Sequence, residues 1–173
     1  MIAIPIPNPD EYAPFYANYV SKAIAQGDIL QTLTRLQETT YSFFKSIGED
    51  KANYAYAEGK WTLKQLLSHM IDAERVFAYR VLCFSRGDEN ALPGFDENDY
   101  VERADLSSRT LQDLAKEFKE LRGANFYLFH ALNNEQLLYT GIASGKPVSV
   151  RALLYITAGH ELHHLTIIKE RYI

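Results

Sequence analysis

Ser149 to Tyr172 reads SVRALLYITAGHELHHLTIIKERY, and its spacing decides the architecture. Val150, Leu153, Thr157, His160, His164 and Ile167 recur every three or four residues, which places them on one face of a helix. His160 and His164 therefore stand one turn apart, where two imidazoles can bind one ion. Their neighbours on that face are apolar, so both rings sit at core positions. A buried ring nitrogen without a partner is costly, and a metal ion resolves the cost. The plainer alternative is a pair of core or groove histidines hydrogen-bonded to neighbours, the commoner fate of such a pair taken alone.

Working outward, Ser149 caps this last helix. Thr62 and Gln65 have the spacing of a capping box and open a helix running to about Ser85, with Leu63, Leu67, Met70, Phe77 and Val81 on one face. His69 lies on it between Leu66, Ala73 and Val76. Alone it would be read as a satisfied core histidine. Opposite His160 and His164 it completes a three-ligand set, since bundles build metal sites from facing helices. Three protein ligands leave one coordination position open, the pattern of a reactive ion.

Two more helices complete the count. Asp28, after Gly27, caps one lined by Ile29, Leu33, Leu36, Thr40, Phe43 and Ile47; Ser107 or Ser108 starts another lined by Leu111, Leu114, Phe118, Leu121, Leu128 and Leu132. Arg86 to Leu106 is far longer than a helical hairpin needs, so it is a crossover or a working loop. Met1 to Gln26 opens on Pro5, Pro7 and Pro9 and turns aromatic at Tyr12, Phe15, Tyr16 and Tyr19. This reads as an arm across the bundle, with Asp10 available to cap a short helix. No repeat and no strand pair stands out. The expected fold is all-α: one domain over residues 1–173, a four-helix bundle with a long crossover connection between helices two and three and an N-terminal arm.

Composition narrows the function. The net charge is −4 and the 18 Lys and Arg are scattered, which argues against a nucleic-acid partner. No apolar run approaches the ~20 residues of a membrane helix. The start has no charged segment before an apolar one, as a signal peptide would have. One cysteine, Cys83, excludes an intramolecular disulfide. A cytoplasmic protein acting on a small molecule is expected, and an aromatic-rich small bundle suits a homodimer.

His160-Glu161-x-x-His164 also matches the metallopeptidase pattern, in which the glutamate is the base for a zinc-bound water. The chain supplies no third ligand downstream, so this is the minor alternative. Glu161 and Glu74 fall on apolar stripes. They support a ligand imidazole or act as a base near bound water, or they form an inter-helix salt bridge with Arg75, Arg80 or Arg122. Trp61 packs as a staple before Thr62 or lines a pocket mouth. Cys83 reads as a small buried hydrophobe, His163 as a surface residue, and His130 stands outside the site.

Three segments, Gly59 to Arg80 (GKWTLKQLLSHMIDAERVFAYR), Leu92 to Val101 (LPGFDENDYV) and Ser149 to Tyr172, resemble the DinB-like superfamily in order and across nearly the whole chain. The resemblance implies a bundle holding a divalent metal, often nickel or zinc, on His69, His160 and His164. It also implies relatives that are metal-dependent hydrolases, bacillithiol S-transferases and mycothiol-dependent isomerases, and hence a low-molecular-weight thiol as co-substrate. Glu161 is not carried over as a ligand. An enzyme of this kind needs a crevice reached by the long loop and the arm. A non-catalytic metal-binding or interaction module needs a closed site.

Overall fold

Helix boundaries in the computed structural model, which describes residues 3–173, follow from side chains that satisfy the free donors of each first turn. In chain order the helices are α1 (Ala17–Ile24), α2 (Ile29–Lys45), α3 (Leu63–Ser85), α4 (Glu97–Arg103), α5 (Leu111–His130) and α6 (Val150–Arg171). Asp28 accepts from the Gln31 N–H at 2.9 Å and Ser149 from the Ala152 N–H at 3.1 Å. Thr62 and Gln65 cap α3 reciprocally, at 3.2 and 2.8 Å. The cap of α5 is Thr110, which accepts from the Asp113 N–H at 3.0 Å, rather than Ser107 or Ser108. The Glu49 carboxylate takes the Leu111 N–H at 3.0 Å and fixes that start.

The four long helices form the bundle. α2 packs on α5, α5 on α3, α3 on α6, and α6 on α2. Successive helices α2 and α3 thus lie on a diagonal, as do α5 and α6. A chain that crosses diagonals needs long connections, which accounts for the stretches between α2 and α3 and between α5 and α6; α4 lies in the connection between the neighbours α3 and α5. α1 closes the outer side of α6. With α1, α2 and α3 around it, α6 is buried at every residue from Val150 to Glu161. The approach is closest at Gly159, where an added Cβ would lie 1.9 Å from the Tyr19 carbonyl oxygen.

The all-helical expectation misses one hairpin. β1 (Thr140–Ala143) and β2 (Lys146–Ser149) pair antiparallel in the register Thr140 to Ser149. Ser144 and Gly145 make the turn at φ 53° and 73°, the left-handed pair that suits a two-residue hairpin. The hairpin holds the long connection: Leu92 donates to the Ile142 carbonyl at 2.8 Å, and Ser144 N–H to the Leu92 carbonyl at 3.1 Å.

The arm, whose first two residues lie outside the described ones, makes two 3-10 turns before α1. Asn8 and Glu11, not Asp10, cap the first. Glu11 then anchors the arm to the start of α6, accepting from Ser149 Oγ at 2.6 Å and Arg151 Nε at 2.8 Å. Burial alone would raise its carboxyl; the bonds from Arg151, Ser149 and the Asn8 N–H outweigh it and bring it down to about 2. Buried apolar side chains from the arm, α1, the four long helices and the hairpin form one continuous cluster. Among the described residues no helix is long and apolar enough to cross a membrane.

Candidate metal centre

α3 carries His69, Ala73, Phe77 and Arg80 at offsets of four, eight and eleven residues, one face of a helix, and all four line one cavity. α6 sends His160 and His164 into it from the facing side. The Nε2 atoms of His69 and His160 are 3.0 Å apart, and those of His160 and His164 are 3.1 Å apart. One nitrogen from each ring lies within 4.8 Å of the other two. The three histidines expected to act together are therefore brought together.

Burial sets their protonation. It lowers His69 to about 4 and His164 to about 3, and it lowers His160 well below 6.5, with His164 and His69 adding repulsion. All three rings are neutral at neutral pH. Lone pairs facing one another at 3 Å repel unless a proton or a cation lies among them. Separations near 3 Å are also those that a small ion with bonds of about 2.0–2.1 Å imposes on its ligands. Among the described residues, His164 Nδ1 is buried without a hydrogen-bond partner. Neutral and mutually facing, this donor set fits a divalent ion.

Aromatic rings hold the imidazoles. Trp61 packs 4.8 Å from the His69 ring; Tyr19 and Phe77 stand edge-on to His160 at 5.7 and 5.6 Å. The cavity, about 190 Å³, is walled by Phe15, Tyr16 and Tyr19 of the arm and by Phe95 and Glu97 of the long connection. A second cavity of about 240 Å³, lined by Tyr56, Lys60, Asn98 and Tyr172, meets the first at Trp61 and His164.

Glu161 and Glu74 are elsewhere. Arg122, fully buried, donates to Glu74 at 2.7 and 2.8 Å and to Glu161 Oε2 at 2.8 Å; Thr40 donates to Glu161 Oε1 at 2.6 Å. Burial pushes the Glu161 carboxyl up, against the lowering effect of Arg122. Neither glutamate lines either cavity, so the salt bridge with Arg122 is the arrangement formed. His163 lies outside the cluster, against Tyr19 at 5.2 Å, Cys83 is buried, and His130 is exposed. Sequence reasoning did not place Arg80, Phe95, Glu97 or Ser144 at the cavity. Arg80 carried a legible signal, three turns from His69 on the same face.

A family model described as the DinB superfamily matches residues 32–168. A protein of Oceanobacillus iheyensis named "Putative metal-dependent hydrolase" is 28% identical over 145 residues, covering 81% of this chain and 79% of its own. Among solved structures, YfiT from Bacillus subtilis superposes with a TM-score of 0.72 at 16% identity, over 95% of this chain and 89% of that one. It is described as "a probable metal-dependent hydrolase with an unusual four-helix bundle topology". A DinB-like protein of Bacillus subtilis, YjoA, superposes with a TM-score of 0.58 at 23% identity, over 82% and 87% of the two chains.

Proposed function

This chain belongs to the DinB superfamily, and from that premise we propose that it is a metal-dependent enzyme acting on a small molecule. His69, His160 and His164 hold one divalent ion, nickel or zinc, and leave a position open. The observation that carries this is the cavity: the cluster faces a crevice walled by the arm and the long connection, which an open site needs and a closed structural site lacks. The naming of the Oceanobacillus iheyensis relative supports hydrolysis.

When bound, the ion lowers the pKa of a coordinated water or thiol and so supplies a nucleophile near neutral pH. The chain's own residues do the rest. Burial keeps the three imidazoles neutral and ready to ligate. Trp61, Tyr19 and Phe77 fix their orientation, and the aromatic wall excludes bulk water. Among the described residues, Glu97 is the only carboxylate lining the cavity, and its charge acts on His69 and Tyr19; it is the group we assign to move a proton there. Glu161 is left to hold Arg122, which also removes the base that the metallopeptidase reading requires.

Thiol transfer is the second reading. The cavity beyond His164 gives a second reactant its own approach to the same cluster. One experiment covers both. Purified protein is analysed for metal, stripped with chelator, and assayed for ester hydrolysis and for addition of a low-molecular-weight thiol to an electrophilic arene. One activity should vanish on stripping and return with nickel or zinc, with helical circular dichroism unchanged. Outright unfolding on chelation, or turnover indifferent to metal, defeats the proposal.

A further inference from the structure

Three arginines are buried: Arg80, Arg122 and Arg151 are 3%, 0% and 9% exposed. Glu74 and Glu161 neutralise Arg122, and Glu11 neutralises Arg151. Arg80 has no such partner. Among the described residues, no carboxylate oxygen lies within 4.0 Å of its guanidinium. A guanidinium is always charged, and a buried charge without a counter-charge is costly. Arg80 Nη2 donates to the Pro93 carbonyl at 3.1 Å and to Ser144 Oγ at 3.0 Å. Those neutral acceptors aim the fork without cancelling its charge. Its Nε and Nη1 have no protein partner among the described residues.

Arg80 and Ser144 both line the histidine cavity. Along α3, Arg80 lies about 16 Å from His69 between Cα atoms, with Ala73 and Phe77 between them on the cavity floor. Helical side chains lean toward the N-terminus, which carries the guanidinium toward the histidines. Both of its acceptors are held in place, because the hairpin and the Pro93 loop are bonded to each other through Leu92.

We propose that Arg80, with the Ser144 hydroxyl, is the anion-anchoring subsite of this cavity, and that it takes the carboxylate of a small substrate with a flat apolar body. This rests on the cavity being the substrate site argued above. The volume of about 190 Å³ is below the ~300–1,000 Å³ of drug-sized sites, so the ligand is small. Phe15, Tyr16, Phe77 and Phe95 supply ring faces and edges for an aromatic or unsaturated body. With both Nη2 hydrogens committed to Pro93 and Ser144, a free N–H of the guanidinium and the Ser144 hydroxyl beside it remain to take a carboxylate. Glu97 in the same cavity opposes the second charge of a phosphate. With its carboxylate on Arg80, such a molecule directs its far end at the histidines.

The test uses 3-phenylpropionate as probe, titrated calorimetrically into the chelator-stripped full chain, with 3-phenylpropionamide and inorganic phosphate as comparisons. The carboxylate should bind the parent, the amide roughly tenfold or more weakly, and phosphate should not displace it. Arg80→Met should lose roughly tenfold or more of the carboxylate affinity. Arg80→Gln, which keeps a donor toward Ser144 and Pro93, should lose it as well and guards against misfolding of the first variant. Both should take up zinc like the parent, read from the fluorescence of Trp61, the single tryptophan. No carboxylate binding to the parent, equal binding of the amide, displacement by phosphate, or parent-like affinity in Arg80→Gln each overturns the proposal. Failure of the parent to take up zinc instead overturns the metal reading and leaves the carboxylate result standing, so the two failures are distinguishable.

Discussion

His69 and His160, 91 residues apart in the chain, bring their Nε2 atoms to 3.0 Å across the interface of α3 and α6. That contact ties the candidate chemistry to the packing of the bundle. His69→Ala, His160→Ala and His164→Ala should each strip the proposed ion, because each removes one of its three proposed ligands. His163→Ala should not, since that ring packs on Tyr19 outside the cluster. Metal content of the purified variants decides it. Parent-like occupancy in His160→Ala sinks the site.

The same rings make stability depend on pH. In the unfolded chain a histidine takes a proton near 6.5; in the folded apo protein His69 does so only near 4 and His164 near 3, because burial disfavours the charge. Between those values the unfolded state binds more protons, so stability rises with pH. It is complete above about 6.5 and falls as pH drops toward 4. His69 alone accounts for on the order of 3 kcal/mol. Urea midpoints of chelated protein at pH 7.5, 6, 5 and 4 should fall in step, and His69→Gln should flatten the slope. Loss of the carboxylate clamp at Glu11 comes only below about 4.5, as pH falls toward 2. An unchanged slope in His69→Gln would falsify the assignment.

Arg122 is the one cation between two buried carboxylates. Breaking a buried pair by removing one partner costs about 3–5 kcal/mol, so Arg122→Met should lower chemical stability by that order. Glu161→Gln separates structure from chemistry. It should also destabilise the fold, while the zinc affinity of the folded protein stays within about threefold of the parent. A large loss of zinc affinity at unchanged stability would return Glu161 to the metal centre.

Much of this was legible in the sequence. Asp28, the Thr62 and Gln65 box, and Ser149 mark helix starts because a capping side chain is a local signal. His160 and His164 were legible because two polar rings occupied an apolar stripe. The hairpin was not, since strands of four residues carry too little alternation to read. Thr110 was hidden behind Ser107 and Ser108; the start it caps is chosen by Glu49, far away in sequence. Glu97 looks like an ordinary surface charge until the connection that carries Leu92 folds over α3 and makes it a wall of the cavity.

Gly159→Ala tests how the arm shapes the cavity. On propensity alone, alanine in the middle of α6 should stabilise the helix by ~1 kcal/mol. The added Cβ, however, would lie 1.9 Å from the Tyr19 oxygen and 2.3 Å from its carbonyl carbon. These are backbone atoms, with no flexible end to swing aside, so α1 itself must move. Overpacking of this kind costs about 1–3 kcal/mol, which outweighs the gain. α1 carries Tyr19, and the turn before it carries Phe15 and Tyr16; all three wall the cavity, and none is a ligand of the proposed ion. The variant should keep near-parent zinc uptake, lose a few degrees of thermal midpoint, expose the arm between Tyr12 and Ile24 to limited proteolysis, and bind cavity ligands more weakly. A raised midpoint with the arm still protected would show that α1 does not press on α6 at this point, and that the aromatic wall does not depend on the glycine.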